Sequence, residues 1–313
     1  MRLISPLAAR PLAGLPFAIV AVLGAACPAL AQPASPASRA DPSAADPSAA
    51  DPSAGGPPPG VRPAGPPVPA GWTLSVGVAT LFGTAWQGSR QTALAVLPDL
   101  RIGYRDSLFA SVPEGLGWNA VNRAGWKAGP LVKPRFGRNA EDGGSPFQVA
   151  GGSTALRGMG DVGIAGEAGG FVEKRFGRTG LWRLRGEVRQ GFGGHSGLVG
   201  DVTLNRAGRI GRTLYAVGPR ATFASQDYMQ TYFGVDAGQS ARTGLAVSRP
   251  AGGLVSVGLG GSLIHPLDRR RSVLLFGGVD RLGDSPAGSA LIRERGQRTT
   301  FTAGLAYSYR FRL

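Results

Sequence analysis

The chain has 313 residues, 42% of them hydrophobic, with 51 glycines, 25 prolines and a formal net charge of +15. That length and apolar content suit one large barrel or two small globular domains. Glycine at about twice its usual share, without a period of three, excludes collagen. The basic balance suggests a nucleic-acid binder, but the arginines are scattered singly along the chain and no binding module is present, so no nucleic-acid partner is expected.

Residues 1–31 read as a secretory signal peptide. Arg2 and Arg10 make a basic start, Leu12 to Ala26 an apolar core, and Ala29-Leu30-Ala31 a cleavage site before Gln32. The stretch Leu23 to Cys27 loosely matches a lipoprotein box, with its leucine one position too far from the cysteine. Cys27 is the single cysteine; a chain without thiols fits an oxidising compartment but does not demand one. Residues 32–70 form a linker rich in Pro, Ala and Ser, with Asp-Pro-Ser-Ala-Ala nearly repeated from Asp41, Asp46 and Asp51. Such composition buries too little apolar surface to fold and stays extended. It serves as a passive spacer or as a periplasmic tether reaching the cell wall.

Residues 71–313 change to short alternating segments, beginning with Trp72, Leu74, Val76 and Val78 against Thr73, Ser75, Gly77 and Ala79. Further segments fall at 93–104, 107–112, 117–121, 124–133, 161–175, 181–191, 197–206, 212–224, 253–264 and 272–282, before the last from Thr299. That is about twelve, many near the length a tilted strand needs to cross a bilayer; merging the two short ones would leave about ten. Brief gaps at 105–106, 122–123, 176–180 and 207–211 fall on one side, and long ones at 134–160, 225–252 and 283–297 on the other. The expected fold is all-β, a transmembrane antiparallel β-barrel with both termini in the periplasm.

Over Leu181–Gln190, Trp182, Leu184, Gly186 and Val188 share one face, and Arg183, Arg185, Glu187 and Arg189 the other. A lipid-exposed arginine at the bilayer midplane costs about 2–4 kcal/mol, so the charged face belongs in the lumen. Glu167 and Glu173 face the same way, although Phe171 interrupts their pattern. These side chains either filter solutes, with a preference for anions because arginine predominates, or form cross-strand ion pairs that plug a narrow barrel. The plug is favoured, since side chains largely fill small barrels. His195-Ser196 invites comparison with a lipid hydrolase, but neighbours on a strand or tight turn point apart, and a working pair needs hydrogen-bond reach. No catalytic, cofactor or metal-ligand set emerges: two histidines and no cysteine past the leader argue against zinc, and no phosphate-binding loop is present.

The closing segment TTFTAGLAYSYRFRL puts Phe301, Ala303, Leu305, Tyr307, Tyr309 and Phe311 on one face and small or polar residues on the other. Thr302, Gly304, Tyr307, Tyr309 and Phe311 resemble the terminal signal that outer-membrane barrels present to their insertion machinery, although Arg312 and Leu313 follow the last aromatic.

Several ordered stretches then read together: Gly129-Pro130-Leu131, Gly194 to Gly197 with Asp201, Val217-Gly218-Pro219, Asp227-Tyr228, Tyr232-Phe233-Gly234-Val235, and Gly283-Asp284-Ser285-Pro286. This set resembles the MipA/OmpV family over roughly residues 72–311; the family often carries a longer Gly-Asp-Ala-Ala-x-Ser-Pro form. The resemblance implies a non-enzymatic outer-membrane barrel in contact with lipid, acting as a scaffold for a murein transglycosylase and a penicillin-binding protein. It supplies no catalytic residue. Tyr232, Phe233, Gly234, Val235, Asp284, Ser285 and Pro286 match family motifs and are expected to be structural, with glycine and proline setting turns and the aromatics serving as girdle residues.

Overall fold

A computed structural model describes residues 71–144, 147–177 and 180–312; the leader and linker lie outside them. The strands are β1 (Trp72–Thr84), β2 (Thr92–Tyr104), β3 (Leu108–Ser111), β4 (Gly115–Trp118), β5 (Val121–Arg123), β6 (Trp126–Arg135) and β7 (Gln148–Gly151). Then follow β8 (Ala165–Phe176), β9 (Trp182–Gly193), β10 (Leu198–Ile210), β11 (Thr213–Ala224), β12 (Gly253–Pro266), β13 (Arg271–Leu282) and β14 (Thr299–Arg312). One edge of β1 pairs with β14, from Thr73 opposite Arg312 to Gly83 opposite Thr302, and the other with β2, from Trp72 opposite Tyr104 to Thr84 opposite Thr92. The antiparallel sheet therefore closes on itself. Twelve strands make the wall, all except β5, which continues β4 along β6, and β7, which lies against β2.

Period-two alternation sorts the wall into two surfaces. Outward-facing Val76, Val78, Leu184, Val188, Leu259, Leu275 and Leu305 are exposed, while their neighbours are turned inside. Trp72, Tyr104, Trp118, Trp126, Trp182, Tyr309 and Phe311 ring one end; Phe82, Phe192, Phe223 and Phe301 sit at the other. These are the two aromatic belts of a membrane barrel around an apolar band. Trp72 and Tyr104 contact each other with ring centroids 4.8 Å apart. No helix among the described residues is long and apolar enough to span a membrane, so the strands do so. An even strand number puts both ends of the barrel on one side, with the short turns; in such barrels that side is periplasmic.

The turns shift by a few residues from their expected places. Ala124 and Gly125 both have positive φ, 50° and 78°, which matches the two-residue primed turn that suits strand twist. The hairpin bend therefore lies there and not at 122–123. Likewise β10 runs to Ile210, and its turn is Gly211-Arg212. The expected strand over 161–175 begins only at Ala165, because Val162 is held in a loop by an isolated bridge to Arg138. The short segments near 107–121 are two separate wall strands, which excludes the ten-strand alternative.

Candidate functional site

The charged faces of β6, β8, β9 and β10 meet inside the barrel as one ladder of ion pairs. At its centre Arg189, 1% exposed, donates from Nε to Glu167 Oε2 at 2.9 Å, and also to Glu187 and to Asp201. Glu167, also 1% exposed, accepts a second guanidinium, that of Arg135. Lys133 Nζ reaches Glu187 Oε2 at 2.7 Å. Toward the periplasmic end Arg185 bridges Glu187 (2.7 Å) and Glu173 (3.3 Å), and Glu173 also takes Arg175 at 3.1 Å and Arg183 at 3.8 Å. Register produces this arrangement, since Lys133 stands opposite Glu167 and Arg185 opposite Glu173. All six charged residues expected in the lumen thus occupy one network. Phe171 belongs to it as well: it faces inward, with the Arg185 guanidinium 4.1 Å from its ring centre. Lys133, Arg135 and Asp201 are additional members. The alternation of Leu131, Lys133 and Arg135 was the signal for two of them.

Beyond the ladder the inner surface carries further ion pairs, Asp99 with Arg101 and Asp280 with Arg220, beside an apolar patch. Leu81, Ala95, Leu97, Leu274, Phe276 and Ala306 form a buried apolar cluster on β1, β2, β13 and β14. Gly304 belongs to that wall because the Phe276 ring lies across it, where a Cβ would meet the ring at 2.2 Å. Thr302 and Gly304 therefore point inward, and Tyr307 and Phe311 outward and exposed.

The long loops fold over the extracellular mouth as a lid. Loop 225–252 carries helices α1 (Gln226–Phe233) and α2 (Ala237–Thr243), and loop 283–298 the short α3 (Asp284–Ala287). Tyr228, Met229 and Phe233 from α1, Leu156 and Met159 from loop 136–164, and Leu291 and Ile292 share one buried cluster with Trp86 and Val199 of the barrel mouth. This corrects the expected girdle role of the Tyr-Phe-Gly-Val motif: Tyr232 and Phe233 are buried in the lid, because α1 turns its apolar side down onto the mouth. Gly234 closes α1, its N–H donating to the carbonyls of Gln230 and Met229, and Val235 pairs with Ser248. Asp284 accepts from Arg298, Ser285 donates from Oγ to Ala251 O at 2.6 Å, and Pro286 is buried.

Lid and ladder meet at His195. Its Nδ1 accepts from Gly197 N–H at 3.2 Å, so Nε2 carries the proton toward Glu167, 3.0 Å away. Both ring nitrogens thus engage groups other than Ser196, which is exposed. The imidazole lies over Gly191, where any Cβ would strike it, and packs edge-on against the rings of Tyr228 and Tyr232. Arg138 donates to the carbonyls of Tyr232, at 2.6 Å, and Thr231. Burial pushes the Tyr228 and Tyr232 hydroxyls above the ordinary tyrosine range and lowers Arg138 to about 10. Raised phenol values stabilise the closed lid below pH about 10 and lose that contribution as pH climbs through the shifted values. Spectrophotometric titration of the six tyrosines is therefore expected to show two that ionise late in the folded protein. Tyr228→Phe with Tyr232→Phe should remove only that late phase; a single ordinary titration in the unsubstituted protein would count against a closed lid.

A closed wall, an apolar outer band between aromatic belts and a charged interior define a transmembrane β-barrel of the outer membrane. The chain belongs to the MipA family, described as MltA-interacting protein MipA, whose family model matches residues 76–311. In fold it is similar to the COG4313 outer membrane channel from Pseudomonas putida F1, at 13% identity over 78% of this chain and 97% of that one, TM-score 0.42. It is also similar to the anion-selective porin from Comamonas acidovorans (9% identity, 77% and 98% covered, TM-score 0.26) and to Neisserial surface protein A (8%, 78% and 98%, TM-score 0.24). No curated protein matches the sequence significantly. The family and the fold resemble those of non-enzymatic outer-membrane proteins.

Proposed function

We propose that this barrel is a scaffold for murein remodelling, docking a transglycosylase, and with it a penicillin-binding protein, at its periplasmic rim. The observation that carries the reading is where the charge sits. Exposed Arg105, Arg123, Arg206, Arg209, Arg212, Arg269, Arg270 and Arg310 crowd the short-turn end. The two acids of those turns are already engaged, Asp106 with Lys127 at 2.6 Å and Asp268 with Arg271. The extracellular loops instead mix both signs, with Glu141, Asp142, Asp161, Asp227, Asp236 and Glu294 among their arginines. A basic ring on the side facing the cell wall attracts a partner with an acidic face, and attraction at exposed sites weakens with salt. The linker at 32–70 would extend into the same compartment as a tether. Thr302, Gly304, Tyr307, Tyr309 and Phe311 would be read by the insertion machinery before the wall closes.

Detergent-solubilised barrel is expected to retain a transglycosylase or a penicillin-binding protein at low salt and to release it at high salt. Replacing Arg209, Arg212, Arg269 and Arg270 together by Gln should abolish retention while leaving the barrel folded. Intact unsubstituted barrel that recovers neither enzyme would overturn the scaffold reading. A gated channel with anion preference is the second reading, favoured by Arg183 Nε and Arg220 Nη1, which are buried in the lumen without hydrogen-bond partners among the described residues.

A further inference from the structure

The wall is not complete at every height. β2 has thirteen residues and β6 ten, but the hairpin between them, β3 and β4, rises only four residues from the periplasmic end. Along the edge of β2 that faces away from β1, β3 pairs with Arg101 to Tyr104 and β7 with Ala93 to Ala95. Across the interval β4 reaches only Leu131 and Val132 of β6. The upper, outer-leaflet half of the wall is therefore interrupted between β2 and β6. Its sill is the turn at 112–114. Its head is the edge-on pair Phe136–Phe147, with centroids 5.9 Å apart, where Phe147 O also accepts from Val96 N–H at 2.8 Å.

Open sheet edges are not tolerated in hydrocarbon, because each unpaired backbone group costs several kcal/mol, roughly, when left unsatisfied there. Both jambs carry the residue that lessens this cost. Val96 points its N–H to the gap, so by the alternation of the ladder Pro98 turns its nitrogen the same way. On β6 the bond from Arg175 N–H to Gly125 O places Lys133 and its alternates toward β8, which leaves the nitrogen of Pro134 facing the gap. A proline nitrogen has no proton to satisfy. The chain thus removes one donor from each edge at the height where no strand covers it. Outside the frame lies a groove of about 530 Å³, lined almost entirely by apolar surface that includes Leu100, Ile102, Leu116, Val132 and Ile164. Inside, the frame abuts the apolar cluster of Leu81, Ala95 and Leu97, against which Phe136 and Phe147 pack.

We propose that this frame is a lateral port that holds one acyl chain of an outer-leaflet lipid, running from the groove past Pro98 and Pro134 to the apolar side of the lumen. At this height the surroundings are hydrocarbon and each edge has lost one donor. Behind the frame the inner surface is apolar on the β2 side above Pro98, at Ala95 and Leu97, whereas Asp99 with Arg101 below it and Lys133 and Arg135 on the β6 side are ion-paired. A water-filled opening would need none of these features. The occupant is therefore a hydrocarbon chain and not an ion or a peptide strand, which would need edge donors to pair with.

The test reconstitutes the barrel in vesicles of a phospholipid with a diazirine near the end of one acyl chain, followed by irradiation and peptide mapping. Adducts are expected on outward residues all round the wall and, in addition, on inward-facing Leu97 or on Phe147. Ala216, which faces inward on β11 and lies outside the apolar cluster behind the frame, should stay unlabelled. Val112→Trp, which sets a ring in the groove, should lose the inward adducts and keep the outward ones. Absence of inward adducts from the unsubstituted protein, or their persistence in the Trp variant, would overturn the port. So would inward labelling by a free diazirine fatty acid without labelling by the lipid, since the occupant proposed is a chain still anchored in the bilayer. Heat-modifiable mobility on a denaturing gel serves as the check that each variant is folded.

Discussion

Glu167→Ala is expected to lower the stability of the folded barrel by about 3–5 kcal/mol, the usual cost of breaking a buried pair from one side. Glu167 is 1% exposed, so water screens little of the loss, and its removal takes from Arg135 its carboxylate partner, from Arg189 one of its three, and from His195 the acceptor of its Nε2 proton. Urea titration in detergent, followed by tryptophan fluorescence, reads the change as a lower midpoint at unchanged slope. Glu167→Gln should fall between, because the amide keeps one acceptor and gives up the charge. The double variant Glu167→Ala with Arg135→Met should cost less than the two single changes summed, since it removes an unpaired cation that the first change creates. By contrast Asp268→Ala, in a turn exposed to solvent, is expected to stay within about 0.5 kcal/mol. If Glu167→Ala proved as mild as Asp268→Ala, the ladder would be an ornament of a stable wall and not part of what holds it.

The extent of what could be read beforehand follows from the physics of each feature. Trp182, Leu184 and Val188 against Arg183, Arg185 and Arg189 declare inside and outside because the strand period is two and lipid rejects guanidinium. Partners are a different matter. That Lys133 meets Glu187 and that Asp201 meets Arg189 depends on the offset between strands, and alternation constrains only which face a side chain occupies. The lid was legible in part. Tyr228, Met229, Tyr232 and Phe233 recur at helical spacing, and Asp236 with Gln239 forms a capping box before Gly244, whose φ of 73° ends α2. With Ser, Gln, Asp and Gly between them, the same residues also fit a polar loop. Tyr232 and Phe233 accordingly look like belt aromatics until the fold turns them inward. Pro98 and Pro134 stand on the two strand edges that face the proposed port, but proline alone does not mark an edge, since Pro130 and Pro219 also lie within strands of the wall. The interval between β2 and β6 follows only from how the strands pair.

Arg295→Ala is expected to open the lid. Its guanidinium donates to Ala155 O and Arg157 O, both at 3.1 Å, and to Thr243 O at 2.7 Å, so a single side chain ties three loops together. Hydrogen bonds from a charged donor contribute about 1.5–3 kcal/mol each, and with partial replacement by water the net loss should be about 3 kcal/mol. Each 1.4 kcal/mol is roughly tenfold in an equilibrium constant, so the open fraction should rise on the order of a hundredfold. Two readouts separate the lid from what lies beneath it. The late tyrosine phase of Tyr228 and Tyr232 should move toward ordinary values once water reaches the rings. In planar bilayers, long closed intervals should give way to frequent openings if the lumen beneath conducts, with a reversal potential displaced toward the anion by the arginine excess on β9. Tyrosines that titrate normally across a silent bilayer would mean that the ion-pair ladder blocks the lumen unaided. Late tyrosines together with silence would mean that Arg295 does not hold the lid. Frequent openings with the tyrosines still late would place the conducting path beside the lid and not under it.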